Sequence, residues 1–531
     1  MSFPILDYVP PRLHGLDQVL PSELWLEVID TYRTSGDASR AESQITLSCI
    51  SRVCRYLCEI SRPLLFSDMR FSGVLEDDFP HDYHLSWCAN VRAHKDEPDS
   101  LASCVRSYTL SNWSARQELL VDEDPPAPNV LWQHIQILPL LSGLQDLCLT
   151  DLILQVADVE IVLALTGLRS LRFIGCKWSH LTRPLEVSST MTHLKKFEYT
   201  RTWSTMGDFF EEYMPKVLEM VATPALRSWK TDHPDLARNL LLSDSLLLEE
   251  LRIPVQKEDL SLLSMFLSRT PTIVDFKMDG LGRIAQEDLD GFRLHPAELP
   301  NLRALQCPLR MLSLFLPGRP IRLVRISDFR SRVVPRGTRH ININTEPFLA
   351  LKQWASVIEE LTVPMSIYDN VALEDYFPTL KSLRIRDDHG LPFLIKSHNP
   401  KVQELRCDCY QEDPDEDEPL GRMGVDLPKQ RKLLLRLHAA FPDATRVTVT
   451  WSPIQWRRSN VSSTDWTPVV VDRDSLRKRL LFTVQHAGMN PHEIVDEDGC
   501  LEKVFLPHEM TPALRELLHP VQRSPEQEVV E

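Results

Sequence analysis

A six-residue pattern, apolar-x-x-apolar-x-apolar, returns through most of this chain and constrains its fold more than any other feature. It reads Val105-Arg-Ser-Tyr108-Thr-Leu110, then Leu144 to Leu149, Leu168 to Phe173, Leu194 to Tyr199, a weaker Leu226 to Lys230, and Leu248 to Ile253. Further copies run from Ile273 to Met278, Leu302 to Cys307, Ile321 to Ile326, Ile358 to Val363, Leu380 to Ile385, Val402 to Cys407 and Ala444 to Val449. The last two apolar residues of each copy are two apart, so they share one face of a short strand. The first belongs to the turn that enters it.

Most copies recur every 20 to 30 residues, the period of leucine-rich repeats. Between them lie segments with helical or irregular pattern, such as Val156 to Leu165, Phe209 to Val221, Asp259 to Leu267 and Pro347 to Val357. Many copies follow a Pro or Gly, as at Gly143, Gly167, Pro224, Pro300, Pro378 and Pro442. A strand with its return segment cannot bury its own apolar side, and stacked neighbours supply the missing core. The expectation is an α/β chain with a curved leucine-rich-repeat solenoid over 105–450 and a parallel sheet on its concave face. An ordinary α/β domain also alternates strands and helices, but not with one recurrent hexapeptide. The Asn or Cys that such repeats carry after the strand is mostly missing, Cys176 being one candidate.

Ahead of the repeats, residues 20–69 carry a different pattern. Leu20-Pro21-Ser22-Glu23-Leu24 begins a helix in which Pro21 suits the first turn and Glu23 favours its positive end. Leu24, Val28 and Ile29 recur at helical spacing. After a polar gap a second helix places Leu47, Ile50, Val53, Cys54 and Leu57 on one side, and Pro63 ends the helical reading or begins a new short element. So short a segment cannot bury all these positions internally, which leaves an apolar face for a partner.

This stretch resembles an F-box. Leu20, Pro21, Glu23, Leu24 and Ile29 match the first half of that motif, and Ile50, Ser51, Val53, Cys54 and Arg55 the second. Leu57 stands where the family usually has Trp, and the polar stretch Thr34 to Ser43 is longer than usual. The resemblance implies a short all-α element that docks on the Skp-type adaptor of a cullin-RING ubiquitin ligase. Leu20, Pro21, Leu24, Val28, Ile29, Ile50, Val53 and Cys54 would make the contact. It also implies that the repeats hold a protein substrate while catalysis belongs to other subunits. Two other classes stay open: an F-box scaffold acting outside the ligase, and a ligand-sensing repeat protein.

The remaining organisation reads as an N-terminal arm over 1–19, a connector over 70–104, a C-terminal cap over 451–520 with an amphipathic helix from Asp472 to His486, and a loose tail over 521–531. The run Gln411 to Pro419 is acidic and reads as a solvated loop; it lacks the Gly of a calcium loop. A net charge of −16 argues against a generic nucleic-acid binder. No apolar run reaches the length of a membrane span, the first twenty residues lack the pattern of a signal peptide, and eleven scattered cysteines suit a reducing compartment. A cytoplasmic or nuclear protein is expected.

No catalytic, cofactor-binding or metal motif stands out. The chain has no Gly-rich phosphate loop, no Gly-x-Ser-x-Gly elbow and no His-Glu-x-x-His helix. Cys407 and Cys409 lack a second ligand pair, Cys49, Cys54 and Cys58 read as packing residues, and most of the 17 histidines, scattered without pairing, read as surface residues. The residue between the two strand apolars is more informative. That column reads Cys148, Arg172, Glu198, Lys230, Arg252, Lys277, Gln306, Arg325, Thr362, Arg384, Arg406 and Thr448, seven of twelve being basic in an acidic chain. Two readings follow. Neighbouring acids such as Glu250, Glu360 and Glu404 neutralise the column, or Arg172, Arg252, Lys277, Arg384, Arg386 and Arg406 bind an acidic or phosphorylated protein segment.

Overall fold

The computed structural model describes residues 40–471, apart from 54, 74–80, 96, 98–99, 114–129, 180–182, 187–189, 202–209, 244–245, 280–286, 290, 328–356, 369–370, 372, 387–400, 409–426, 450–452 and 464. The arm, the helix expected from Leu20 to Ile29, the return segment expected from Pro347 to Val357 apart from its last residue, the acidic loop, the helix expected from Asp472 to His486 and the tail lie outside the described residues. The chain forms two compact units, Met1–Ile273 and Val274–Glu531.

Among the described residues the first unit begins with two helices, Arg40–Ser51 and Arg55–Leu65. The second runs through Pro63 rather than ending there. Nine strands follow among the described residues: β1 (Asp68–Ser72), β2 (Ser107–Ser111), β3 (Asp146–Thr150), β4 (Ile153–Leu154), β5 (Ser170–Ile174), β6 (Lys177–Trp178), β7 (Lys196–Thr200), β8 (Ser228–Thr231) and β9 (Glu250–Pro254). Strands β1, β2, β3, β5, β7, β8 and β9 pair in that order, every pair parallel. β4 and β6 make a small parallel pair of their own. The return segments expected near 156, 209 and 259 are helices Val156–Leu163, Phe210–Val221 and Leu260–Arg269. Each presents its apolar residues to the buried side of the strands, as Val159, Val162, Tyr213, Val217, Leu263 and Phe266 show by their burial.

The second unit carries β10 (Asp275–Asp279), β11 (Ala304–Cys307), β12 (Leu323–Ile326), β13 (Glu360–Pro364), β14 (Ser382–Arg386), β15 (Glu404–Asp408), β16 (Arg446–Val449), β17 (Ile454–Arg457) and β18 (Thr467–Val470). The pairs from β10 to β16 are parallel and follow chain order. β17 and β18 then add antiparallel strands. Part of the stretch expected as a cap thus extends the sheet itself. Arg458, just past β17, is buried and donates to the carbonyls of Ala444, Pro442 and Ser463, tying this end to the turn before β16.

One hydrogen-bond motif explains why the hexapeptide holds its register. The carbonyl of its second residue accepts two N–H groups from the next repeat. Arg106 O accepts from Gln145 N and Asp146 N, Gln145 O from Arg169 N and Ser170 N, and Lys381 O from Gln403 N and Glu404 N. The first residue closes a turn: Leu226 N donates to Thr223 O, Leu302 N to Leu299 O and Leu380 N to Phe377 O. Pro224, Pro300 and Pro378 are the second residues of those turns, where a fixed φ costs nothing. The three apolar positions are buried in copy after copy, as with Leu144, Leu147 and Leu149 or Leu380, Leu383 and Ile385.

The same motif reveals a copy that the sequence reading passed over. Ser67 O accepts from Arg106 N and Ser107 N, so Phe66-Ser67-Asp68-Met69-Arg70-Phe71 is a repeat of the same kind. Its strand is β1, and it begins within the stretch read as the end of the docking element. The stretch read as a connector also carries helices His81–Ala93 and Leu101–Cys104.

Candidate functional site

Strand alternation turns the middle residue of each hexapeptide away from the core, and the parallel register sets those residues side by side. In the first unit Thr109, Cys148, Arg172, Glu198, Lys230 and Arg252 are successive Cα partners. In the second, Lys277, Gln306, Arg325, Thr362, Arg384, Arg406 and Thr448 form an unbroken row. Neighbours in such a row stand about 4.8 Å apart.

The structure brings together only some of the basic residues singled out in the sequence. Arg172 lies between Cys148 and Glu198, and two strands separate it from Arg252. Lys277 is in the other unit, where its ammonium bonds Asp275 at 2.8 Å. Arg384 and Arg406, by contrast, are direct Cα partners, and Arg386 shares their strand face one pleat further along β14. All three are partly exposed. Several charges of these rows are met within the sheet. Lys230 reaches Glu250 at 3.2 Å, and Glu250 also accepts from Ser228 at 2.8 Å. Glu404 reaches Arg446 at 3.5 Å, and Gln306 donates to Asp279 at 2.6 Å. Neutralisation therefore operates at several points of both faces. What distinguishes β14 and β15 is the juxtaposition of two guanidinium groups with a third behind them.

The helical hairpin is less regular than expected. Leu47 and Leu57 are buried, Ile50 is half-buried, and Val53 is 52 % exposed, so these residues do not share one face. An outward stripe is instead formed by Ile45 at 59 % exposure, Cys49 and Val53, spaced four apart. Cys49 is thus a surface thiol and not a packing residue. Ile45 is not among the residues expected for this face, although its spacing to Val53 carries the signal in the sequence. Leu20, Pro21, Leu24, Val28, Ile29 and Cys54 lie outside the described residues.

Other chemistry sits where packing explains it. Cys407 is fully buried in the core row of β15, and Cys176 donates from its thiol to Leu149 O at 3.2 Å, as a residue following a repeat strand does. Burial pushes the Cys176 thiol up to about 12, so it stays protonated. Glu211, His233 and Asp235 place possible ligand atoms within 4.8 Å of one another. His233, however, caps helix Pro234–Leu241 by accepting Leu236 N–H at Nδ1, which leaves the imidazole proton on Nε2 facing Glu211 at 3.8 Å. A metal would need that nitrogen bare. Arg62, Asn90, His94 and Ser100 line a cleft of about 260 Å³ beside helix Arg55–Leu65, away from the strand face. The histidines are not all surface residues: His84, His134 and His233 are buried. No helix among the described residues is long and apolar enough to cross a membrane.

No protein-family model matches the chain, and no curated protein matches it. Among solved structures it is similar to the leucine-rich repeat-containing protein LegL7 from Legionella pneumophila, at 12% identity and a TM-score of 0.28, over 60% of this chain and 91% of that one. It is also similar to TLR13 in a complex with ssRNA13, at 13% identity and a TM-score of 0.26, over 59% of this chain and 46% of that one. The leucine-rich-repeat character of both units rests on their own strand order, register and repeated turn.

Proposed function

We propose that this chain is a non-catalytic, protein-binding receptor of the F-box kind. Its N-terminal helices dock on a Skp-type adaptor and through it on a cullin, and its repeats hold a protein substrate for ubiquitin transfer. The observation that carries the recognition half is the Arg384–Arg406 pairing with Arg386 behind it, on an open strand face. Planar guanidinium groups in such a cluster favour carboxylate or phosphate oxygens, which fits an acidic or phosphorylated protein segment. The docking half is supported by the exposed stripe of Ile45, Cys49 and Val53 on a short helical hairpin, and by the F-box-like sequence that includes Leu20, Pro21 and Leu24. Helix-in-groove partners are held by a few apolar anchors of this sort.

Co-purification of the full chain with a Skp-type adaptor tests the reading. The wild-type chain retains the adaptor, and a Leu20→Ala, Pro21→Ala double variant loses it with the repeats still folded. Undiminished adaptor binding by that variant would remove the F-box assignment. Ubiquitination of a captured partner in a reconstituted ligase then separates a substrate receptor from a scaffold acting outside the ligase.

A further inference from the structure

Four buried polar side chains join the first repeats in a single line. Trp87 and His84 lie on helix His81–Ala93, Tyr108 on β2, and His134 on helix Val130–Ile137. The Trp87 indole N–H donates to Tyr108 Oη at 3.1 Å, Tyr108 Oη lies 2.6 Å from His134 Nδ1, and His134 Nε2 lies 3.0 Å from His84 Nδ1. His134 has no exposed surface and His84 is 7 % exposed.

The direction of this chain follows from its first member. An indole N–H can only donate, so Tyr108 Oη accepts it, and among the described residues His134 Nδ1 is the acceptor in reach of the hydroxyl's own proton. The His134 proton therefore sits on Nε2 and is given to His84 Nδ1. Protonating His134 at Nδ1 would set two donors against each other at its bond with Tyr108.

We propose that the Trp87–Tyr108–His134–His84 chain is an acid-sensitive latch that holds helix His81–Ala93 on the first repeats and opens when an imidazole takes up a proton. Among the described residues, none of the groups bonded to His134 is a carboxylate. Helix His81–Ala93 presents His84, Trp87 and the Cys88 thiol, 3.7 Å from His134 Nδ1, with Arg92 acting on that thiol; β2 presents Tyr108. Phe71 of β1 and Trp113 close the site with rings at 4.5 and 6.0 Å from the His134 ring. Burial holds Cys88 and Tyr108 protonated and neutral, and no carboxylate is among the described partners of His134. Burial, then the neighbouring His84, lowers the His134 pKa to about 3. The latch also reaches the hairpin, because Phe66, which follows helix Arg55–Leu65, stacks on Trp87 with ring centres 6.1 Å apart.

Neutral in the closed state, His134 protonates on opening with an ordinary value near 6.5, so closure is fully favoured above that pH and weakens as pH falls toward 3. The local opening constant then rises about 30-fold between pH 7.5 and pH 5. Amide hydrogen exchange of the full chain by mass spectrometry, corrected for intrinsic rates, reads this in peptides covering 81–93 and 130–137. A His134→Gln variant, which cannot titrate there, flattens the rise. A wild-type chain equally protected at both pH values, or a variant with the same rise, overturns the proposal. Should the variant fail to fold, exchange at the histidine C2 position of the wild-type chain decides: His134 stays neutral below pH 5 in the folded protein, and an ordinary titration near 6.5 overturns the latch.

Discussion

Glu404 ion-pairs with Arg446, its Cα partner on the neighbouring strand β16, at 3.5 Å. One of the acids that stood in sequence as neutralisers of the arginine column is thus turned toward a basic residue of its own row. The row one pleat further along β15 carries Arg406 against Arg384. Like charges placed directly opposite on adjacent strands disfavour each other.

Reversal of Arg384 and Arg386 to Glu is expected to weaken binding of an acidic phosphoserine peptide by at least about tenfold, since a hydrogen bond to a charged group contributes roughly 1.5–3 kcal/mol. Fluorescence anisotropy measures this, and wild-type affinity should fall with added salt. Normal peptide binding by a variant that melts earlier would make these arginines structural.

Leu383 is 1 % exposed and lies between Leu361 and Leu405 in the core row. Leu383→Ala leaves a cavity that stacked repeats cannot close, at a cost of about 3 kcal/mol. Urea unfolding monitored by circular dichroism should show a lower midpoint; an unchanged one would contradict the buried row.

Arg319 is 5 % exposed and donates to the carbonyls of His295, Glu298, Leu314, Phe315 and Pro317. Removing the guanidinium leaves those acceptors without their donor, so Arg319→Ala should cost about 3 kcal/mol. Lys presents three donors on a flexible stem and no fork, so Arg319→Lys should recover less than half of the loss. Thermal unfolding of the two variants checks the order.

Gly143 permits a close approach of backbone at the turn before β3. A Cβ there would stand 2.6 Å from Ser103 O and 2.9 Å from Val105 O. Because both neighbours are backbone atoms, relief requires the preceding repeat to shift. Gly143→Ala should therefore destabilise by about 1–3 kcal/mol, read as a lower melting temperature. Gly291 has nothing within 4 Å of an added Cβ, so Gly291→Ala provides the near-neutral control.

Much of this protein was legible before its structure. All thirteen hexapeptide copies named in the sequence lie on strands β2, β3, β5 and β7 to β16, and the middle column reads off as Cα partners. The missed copy, Phe66 to Phe71, obeys the same rule; it was hidden because its first residues also close the F-box-like pattern. The hairpin was read less well. Val53 shares periodicity with Leu57, yet one is exposed and the other buried, because the turn after Ser51 rotates one helix relative to the next.

Within the repeats, sequence alone determined which residues enter the core and which column faces outward. Alternation is a property of the strand itself, and a repeated unit must stack in register to satisfy its second carbonyl. Only the tertiary structure decided which polar groups meet. His84 and His134 are fifty residues apart and follow no common motif, yet stacking of two helices places their rings 5.2 Å apart in a buried site. Side-chain contacts of this kind depend on the packing of whole elements, which local pattern does not encode.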